Sequence, residues 1–151
     1  MSTKFVYVTY IRTTPQKLWD ALTKSEFIKQ YWFNMTQESE WKKGASWKML
    51  FSDGRIADQG EIVEIEPPRR VVFRWSNQFR EELKAEGVAT CTYEIERDGE
   101  LCKLTVLHEI AAEPSKFIEA VSTGWPKILS SLKSLLETGT PLPRPADTPA
   151  H

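Results

Sequence analysis

The chain has 151 residues, 40% of them hydrophobic, and a formal net charge of −1. That length suits one domain around one core, and the balanced charge excludes the basic footprint of a nucleic-acid binder. No apolar run is long enough to cross a bilayer, so membrane insertion is not expected. Met1-Ser2-Thr3-Lys4 leads straight into a strand-like pattern with no leader, and the expected compartment is the cytoplasm.

The stretch KFVYVTYI, from Lys4 to Ile11, is β-branched and aromatic and predicts a strand. TTPQKLWDALT follows as a short helix, with Thr14 as N-cap, Pro15 in the first turn, and Leu18, Trp19 and Leu22 as its apolar stripe. SEFIKQYW repeats the pattern, with Ser25 as cap and Phe27, Ile28, Tyr31 and Trp32 on one face. FNMTQESEWKKG holds at most a short edge strand. ASWKMLF then alternates, with Trp47, Met49 and Phe51 on one side. Ser52-Asp53-Gly54-Arg55 marks a hairpin whose central Asp-Gly suits a type I′ turn. A two-residue loop there puts Trp47 opposite Gly60, a glycine expected to leave room for the indole.

Pro67-Pro68 ends the returning strand, and RVVFRW starts another with Val71, Phe73 and Trp75 on one side. SNQFREELKAEG reads as a polar loop with one helical turn through Phe79 and Leu83. VATCTYEIE and LCKLTVLHEI form the clearest hairpin, joined by Arg97-Asp98-Gly99-Glu100. A turn centred on Asp98-Gly99 pairs Tyr93 with Leu104 and Cys91 with Val106. The inner face then carries Cys91, Tyr93, Ile95, Cys102, Leu104, Val106 and His108. Cys91 and Cys102 share that face at a separation well beyond disulfide reach, so two free thiols are expected.

From Pro114 the period turns helical. Phe117, Val121, Trp125, Ile128, Leu129, Leu132, Leu135 and Leu136 make a continuous stripe, and Gly139 stands where a C-cap glycine belongs. Gly124-Trp125-Pro126 interrupts it. Pro126 cannot donate to the Ser122 carbonyl, which predicts a kink or restart. Two readings of the Gly-Trp pair are open: a gap filled by Trp47 or Trp75, or a real space between helix and sheet. The order of elements predicts an α+β fold, a curved antiparallel sheet of six or seven strands wrapped around the long C-terminal helix, with two short helices after strand one. One domain is expected over residues 1–139. The segment 140–151, TPLPRPADTPAH, is expected to be a proline-rich disordered tail.

GWPKILSSLKSLLETG, GEIVEIEPPRRVVFRW and TTPQKLWDALT together resemble SRPBCC proteins, also called START-like or helix-grip proteins. They are most similar to the branch related to the activator of heat-shock protein 90 ATPase. The likeness runs from Lys4 to about Gly139. It implies a deep apolar cavity between the sheet and the C-terminal helix. It also implies a choice of roles, since the family includes lipid and hormone carriers, polyketide cyclases, resistance proteins and the chaperone activator.

No P-loop, GxGxxG, HExxH, CxxC or GxSxG is present, so neither a cofactor nor a metal is expected. The first expectation is a binding protein for a small hydrophobic molecule of aromatic or acyl type. Its walls would be Trp47, Met49, Phe51, Phe73, Trp75, Trp125 and Leu129. Tyr93 and His108 would be polar handles and Trp32 would stand at the mouth. An alternative is a cyclase- or hydrolase-type enzyme using Tyr93, His108 or Asp58 as acid–base groups. A Cys91–His108 nucleophile pair is a further, weaker candidate for catalysis. A third reading is a protein-interaction module like the chaperone activator, which requires an exposed apolar or strongly charged patch; the mixed-charge outer faces do not point to one. The sequence leaves the oligomeric state open.

Overall fold

Alternation in the strands decides which side of each is covered. In the computed structural model, which describes residues 2–144, β1 (Thr3–Ile11) buries one face while Lys4, Val6, Val8 and Tyr10 point outward. Two short helices follow, α1 (Pro15–Thr23) and α2 (Ser25–Tyr31). The strands β2 (Thr36–Ser39), β3 (Ser46–Leu50), β4 (Ile56–Glu66) and β5 (Arg70–Asn77) then run on, and α3 (Glu81–Lys84) makes one helical turn. The hairpin β6 (Ala89–Asp98) and β7 (Leu101–Ile110) leads into the long helix α4 (Lys116–Thr138). The seven strands form one curved antiparallel sheet in the order β1-β7-β6-β5-β4-β3-β2, and this is the α+β helix-grip fold.

Local chemistry sets the ends of the helices. Thr14 caps α1, its hydroxyl accepting from the Lys17 N–H at 3.2 Å, with Pro15 in the first turn. Ser25 does not cap α2, whose N-cap is Lys24. The Ser25 hydroxyl donates instead to the Gln37 carbonyl at 2.5 Å, tying the helix to β2. Lys24 already closes α1, and a linker this short leaves no room for a separate cap. α2 ends with Phe33 and Asn34 both in the left-handed region, at φ 51° and 71°. The Asn34 N–H bonds back to the Lys29 carbonyl at 3.0 Å, the bond of a Schellman-type stop. Gly139 closes α4 at φ 84°, its N–H donating to the Leu135 carbonyl.

The last hairpin also differs from the sequence reading. The β6–β7 register is shifted by two residues: Tyr93 faces Val106, Cys91 faces His108, and Asp98 faces Leu101. The turn is therefore centred on Gly99-Glu100, with Gly99 at φ 60°, which is the place of glycine in a type II′ turn. A shift of two keeps every side chain on its face, so the inner face is as expected and both cysteines are buried and free. α4 does not restart at Pro126: it runs as one helix through that residue. One missing N–H is a small loss against the apolar stripe that holds both halves on the sheet.

The Trp47–Gly60 pairing is present, but the loop is not the expected two-residue type I′ turn: Gly54 is left-handed at φ 92° while Asp53 is not, and a bulge falls between Met49 and Leu50. The reason for Gly60 is different, however. A Cβ at Gly60 would collide with the backbone carbonyl of Arg74, not with an indole. Residues 140–144 form no helix or strand, but they are held. The Ser134 hydroxyl donates to the Thr140 carbonyl at 2.7 Å, and the Leu142 N–H donates to the Ser131 hydroxyl at 3.2 Å. Residues 145–151, most of the expected tail, lie outside the described residues.

Candidate functional site

The concave face of the sheet carries a layer of rings. Trp47 packs on Trp75 with centroids 4.8 Å apart and on Phe73 at 4.9 Å, and Phe73 meets Tyr93 edge-on at 5.3 Å. Trp125 from α4 meets this layer, 5.9 Å from Trp75 and 6.0 Å from Tyr93. Trp32, just past α2, closes a triangle with them, 5.3 Å from Trp125 and 6.4 Å from Trp75. Edge-to-face contacts of this kind satisfy the ring quadrupoles as well as burying area.

The rings fill most of the space between sheet and helix, and one end stays open. A cavity of about 80 Å3 lies between the N-terminal half of α4, the end of β5, α3 and the end of α2. A single water needs only about 10–15 Å3 on this measure, so there is room for a small organic group. Trp32, Trp75, Trp125 and Phe117 form its apolar back, Phe33 and Phe79 its sides, and Arg80, Thr123 and Lys127 its polar edge. Gly124 belongs to the wall, and a Cβ added there would meet only the Ile128 Cδ1, at 4.0 Å. The reading of Gly-Trp-Pro as a real space is the one the structure favours.

The indole donors divide in an informative way. Trp47 Nε1 donates to the Gln37 side-chain oxygen at 2.9 Å, and Trp125 Nε1 donates to His108 Nδ1 at 3.1 Å. Because Nδ1 accepts, the imidazole proton is assigned to Nε2. Trp32 Nε1 and Trp75 Nε1 are buried without a hydrogen-bond partner, and both rings wall the cavity. A buried donor left unmatched costs about 1–3 kcal/mol.

All ten residues expected at the site are buried. Of these, Trp32, Trp75 and Trp125 reach the cavity. Trp47, Met49, Phe51, Phe73, Tyr93, His108 and Leu129 do not wall it. Trp47 and Phe73 pack on Trp75, Tyr93 and His108 on Trp125, and Phe51 on Phe79, so they support wall residues from outside the cavity. Phe33, Asn77, Phe79, Arg80, Leu83 and Phe117 are walls that the sequence reading did not assign to a site. Phe117 carried a prior signal as part of the expected helix stripe, and Leu83 and Phe79 as the apolar residues of an expected helical turn; Phe33, Asn77 and Arg80 come from chain stops and loops and carried none.

The acid–base candidates do not gather in the cavity. Asp58 is buried and accepts from Asn77 Nδ2 at 3.3 Å. Tyr93 is pushed well above the ordinary phenol value, first by burial and then by the nearby Cys91 and Tyr31, with Gln37 opposing. Cys91 lies directly across from His108, yet burial pushes its thiol well up, which is the reverse of what a nucleophilic thiolate needs. No group of three or more His, Cys, Asp or Glu that could hold a metal is present among the described residues. The outer surface carries one apolar stripe that the sequence reading passed over. Val6, Val8 and Tyr10 are exposed at 56%, 42% and 42% on the outer face of the edge strand β1, beside the half-buried Leu107.

Among solved structures the fold is similar to CalU16 from Micromonospora echinospora, with a TM-score of 0.73 at 16% identity over 91% of this chain and 78% of that one. It is also similar to the Aha1 dimer from Colwellia psychrerythraea, at 0.70 and 20% identity over 91% and 98% of the two chains. An HSP90 activator from Plasmodium falciparum matches at 0.72 and 20% identity, over 88% and 95%. No curated relative matches the sequence. The family described as activator of Hsp90 ATPase homolog 1-like protein matches residues 12–137, so the helix-grip core, from the end of β1 through α4, carries the family pattern, and the chain belongs to that family.

Proposed function

We propose that the protein binds a small hydrophobic molecule, in the cytoplasm, in the cavity against the N-terminal half of α4. The observation that carries this is the gap at Gly124. A glycine in mid-helix is unfavourable by about 1 kcal/mol against alanine, and here no close packing requires it, since its missing side chain faces open space. Six aromatic side chains line the same cavity, as is common in ligand pockets. Tyr93, His108 and Asp58 are outside the wall, so the binding reading stands ahead of the acid–base one. A single domain over residues 1–139 suffices for it.

The test is native mass spectrometry on protein taken from its own host, beside the denatured mass. The expected result is a discrete extra mass that is lost on denaturation and is missing from Gly124→Leu, whose side chain fills the gap. An extra mass that persists in Gly124→Leu would place the ligand elsewhere. Protein that carries nothing and takes up no apolar probe would overturn the proposal.

A second reading, a protein-interaction module of the chaperone-activator kind, has one observation in its favour: the exposed Val6, Val8 and Tyr10 stripe. Val8→Lys with Tyr10→Lys would then abolish capture of an Hsp90-type chaperone while leaving ligand uptake intact. Equal capture by the variant counts against this face.

A further inference from the structure

We infer that the cavity's ligand is a carboxylate on an apolar body of about one ring, its oxygens held by the indole N–H groups of Trp32 and Trp75. This deepens the binding reading above and rests on it.

Four buried indoles form one cluster in and behind the cavity wall, and two of them find an acceptor within the protein. Trp47 finds Gln37, and Trp125 finds His108. The two that are left without an acceptor, Trp32 and Trp75, both stand in the cavity wall, 2% and 1% exposed. Their rings are neighbours in that wall, 6.4 Å apart centroid to centroid, so one small group in the cavity lies beside both. An indole only donates, so the complementary group must accept. An amine head has nothing to offer here.

The other polar groups of the wall are already engaged. Asn77 donates to Asp58 and accepts from the Phe79 and Arg80 N–H groups at 3.2 and 2.9 Å. Thr123 donates to the Ala120 carbonyl at 2.9 Å. The charged wall residues are Arg80 and Lys127, and no carboxylate lines the cavity among the described residues. Arg80 keeps its pairing with Glu82 at 2.8 Å. The charged side chains at the edge are thus both basic, and the indoles make the contact. In a site this apolar an anion is stabilised only if it is both hydrogen-bonded and near positive charge.

Nitrogen-15 NMR on the full chain reads the indole N–H signals directly, and Trp32→Phe and Trp75→Phe assign them. The probes are 4-methylbenzoate and toluene, which share a body and differ in the head. The expected result is that both bind, 4-methylbenzoate about tenfold tighter, and that only it moves the Trp32 and Trp75 signals downfield. Each Phe variant should lose most of that tenfold while binding toluene as before. The wild-type shifts carry the test if a variant fails to fold. If toluene binds and 4-methylbenzoate binds no better, the carboxylate assignment is overturned and the cavity stands. If 4-methylacetophenone, a neutral acceptor, binds as tightly as the carboxylate, the assignment of charge is overturned. If none of the three binds, the cavity reading falls as well.

Discussion

At Gly60 a Cβ would collide with the carbonyl oxygen of Arg74, whereas at Gly124 it would meet one methyl at 4.0 Å and otherwise open space. Both glycines stand near tryptophans, and the sequence gives no sign that their reasons differ. Replacement separates them. Gly60→Ala forces backbone against backbone in a sheet that cannot give, and should cost about 3 kcal/mol. Gly124→Ala removes the flexibility of a mid-helix glycine at no steric expense, and should stabilise by about 0.5–1 kcal/mol while narrowing the cavity. Urea unfolding of both variants checks the signs. If Gly124→Ala proves destabilising, the helix needs that glycine for its path, and the argument for a kept space loses its support. Trp32 and Trp75 belong to the same account, because a donor left unmatched beside a gap is tolerated where something else completes it.

Among the elements, α4 depends on a residue that no helix pattern marks. Glu86, between α3 and β6, accepts from the Ser115 hydroxyl at 2.5 Å, the Lys116 N–H at 2.8 Å and the Phe117 N–H at 3.3 Å. A carboxylate at a helix N-terminus satisfies orphan donors and favours the dipole. It also pins the segment after α3 to the helix. Glu86→Ala should lower stability by about 1–2 kcal/mol, and Glu86→Gln by less, measured as a shift in urea midpoint. A variant as stable as the parent would mean that Ser115, which accepts from Ile118 at 3.0 Å, caps the helix unaided. The comparison of pattern with structure also belongs at this scale. Strand alternation correctly located the inner faces, because burial has a period of two, and the same rule hid the β6–β7 shift, because a slip of two changes no face. The helix stripe and its glycine cap were legible in Phe117 to Gly139 because both are local. The cavity was only partly legible. Trp32, Trp75 and Trp125 follow from aromatic content on inward positions, but Phe33 enters through a left-handed turn and Asn77, Phe79 and Arg80 through the chain leaving β5. Those placements are set by where non-adjacent elements meet, and no spacing in the sequence encodes that.

For the molecule as a whole, filling a concave sheet with rings has a consequence at high pH. Tyr31 is fully buried with its hydroxyl donating to the Ala21 carbonyl at 3.0 Å, and burial holds its phenol far above the ordinary value of 10.0. Burial raises Tyr93 well above 10.0 and Cys91 well above 9.0 in the same way. Each group is an acid whose folded-state value lies above its unfolded one. Below about pH 9 both states hold the proton, and these groups add no pH dependence. Above that the unfolded chain releases protons that the folded chain keeps, so stability falls as pH rises. Each group contributes a slope of about 1.4 kcal/mol per pH unit, and three together about 4. A domain of ordinary stability, about 5–15 kcal/mol, is then exhausted a few pH units above the onset. The urea midpoint should stay flat from about pH 7 to 9 and drop steeply past about pH 10. The tyrosinate absorbance of Tyr31 and Tyr93 should rise in one cooperative step with the loss of near-ultraviolet dichroism. Tyr31→Phe should reduce the slope by about a third, a change that the loss of its one hydrogen bond would not produce, since that loss lowers stability equally at every pH. Smooth titration of Tyr31 and Tyr93 in a still-folded protein would show instead that the ring layer admits solvent, and the same access would leave the indole donors of Trp32 and Trp75 with water for a partner.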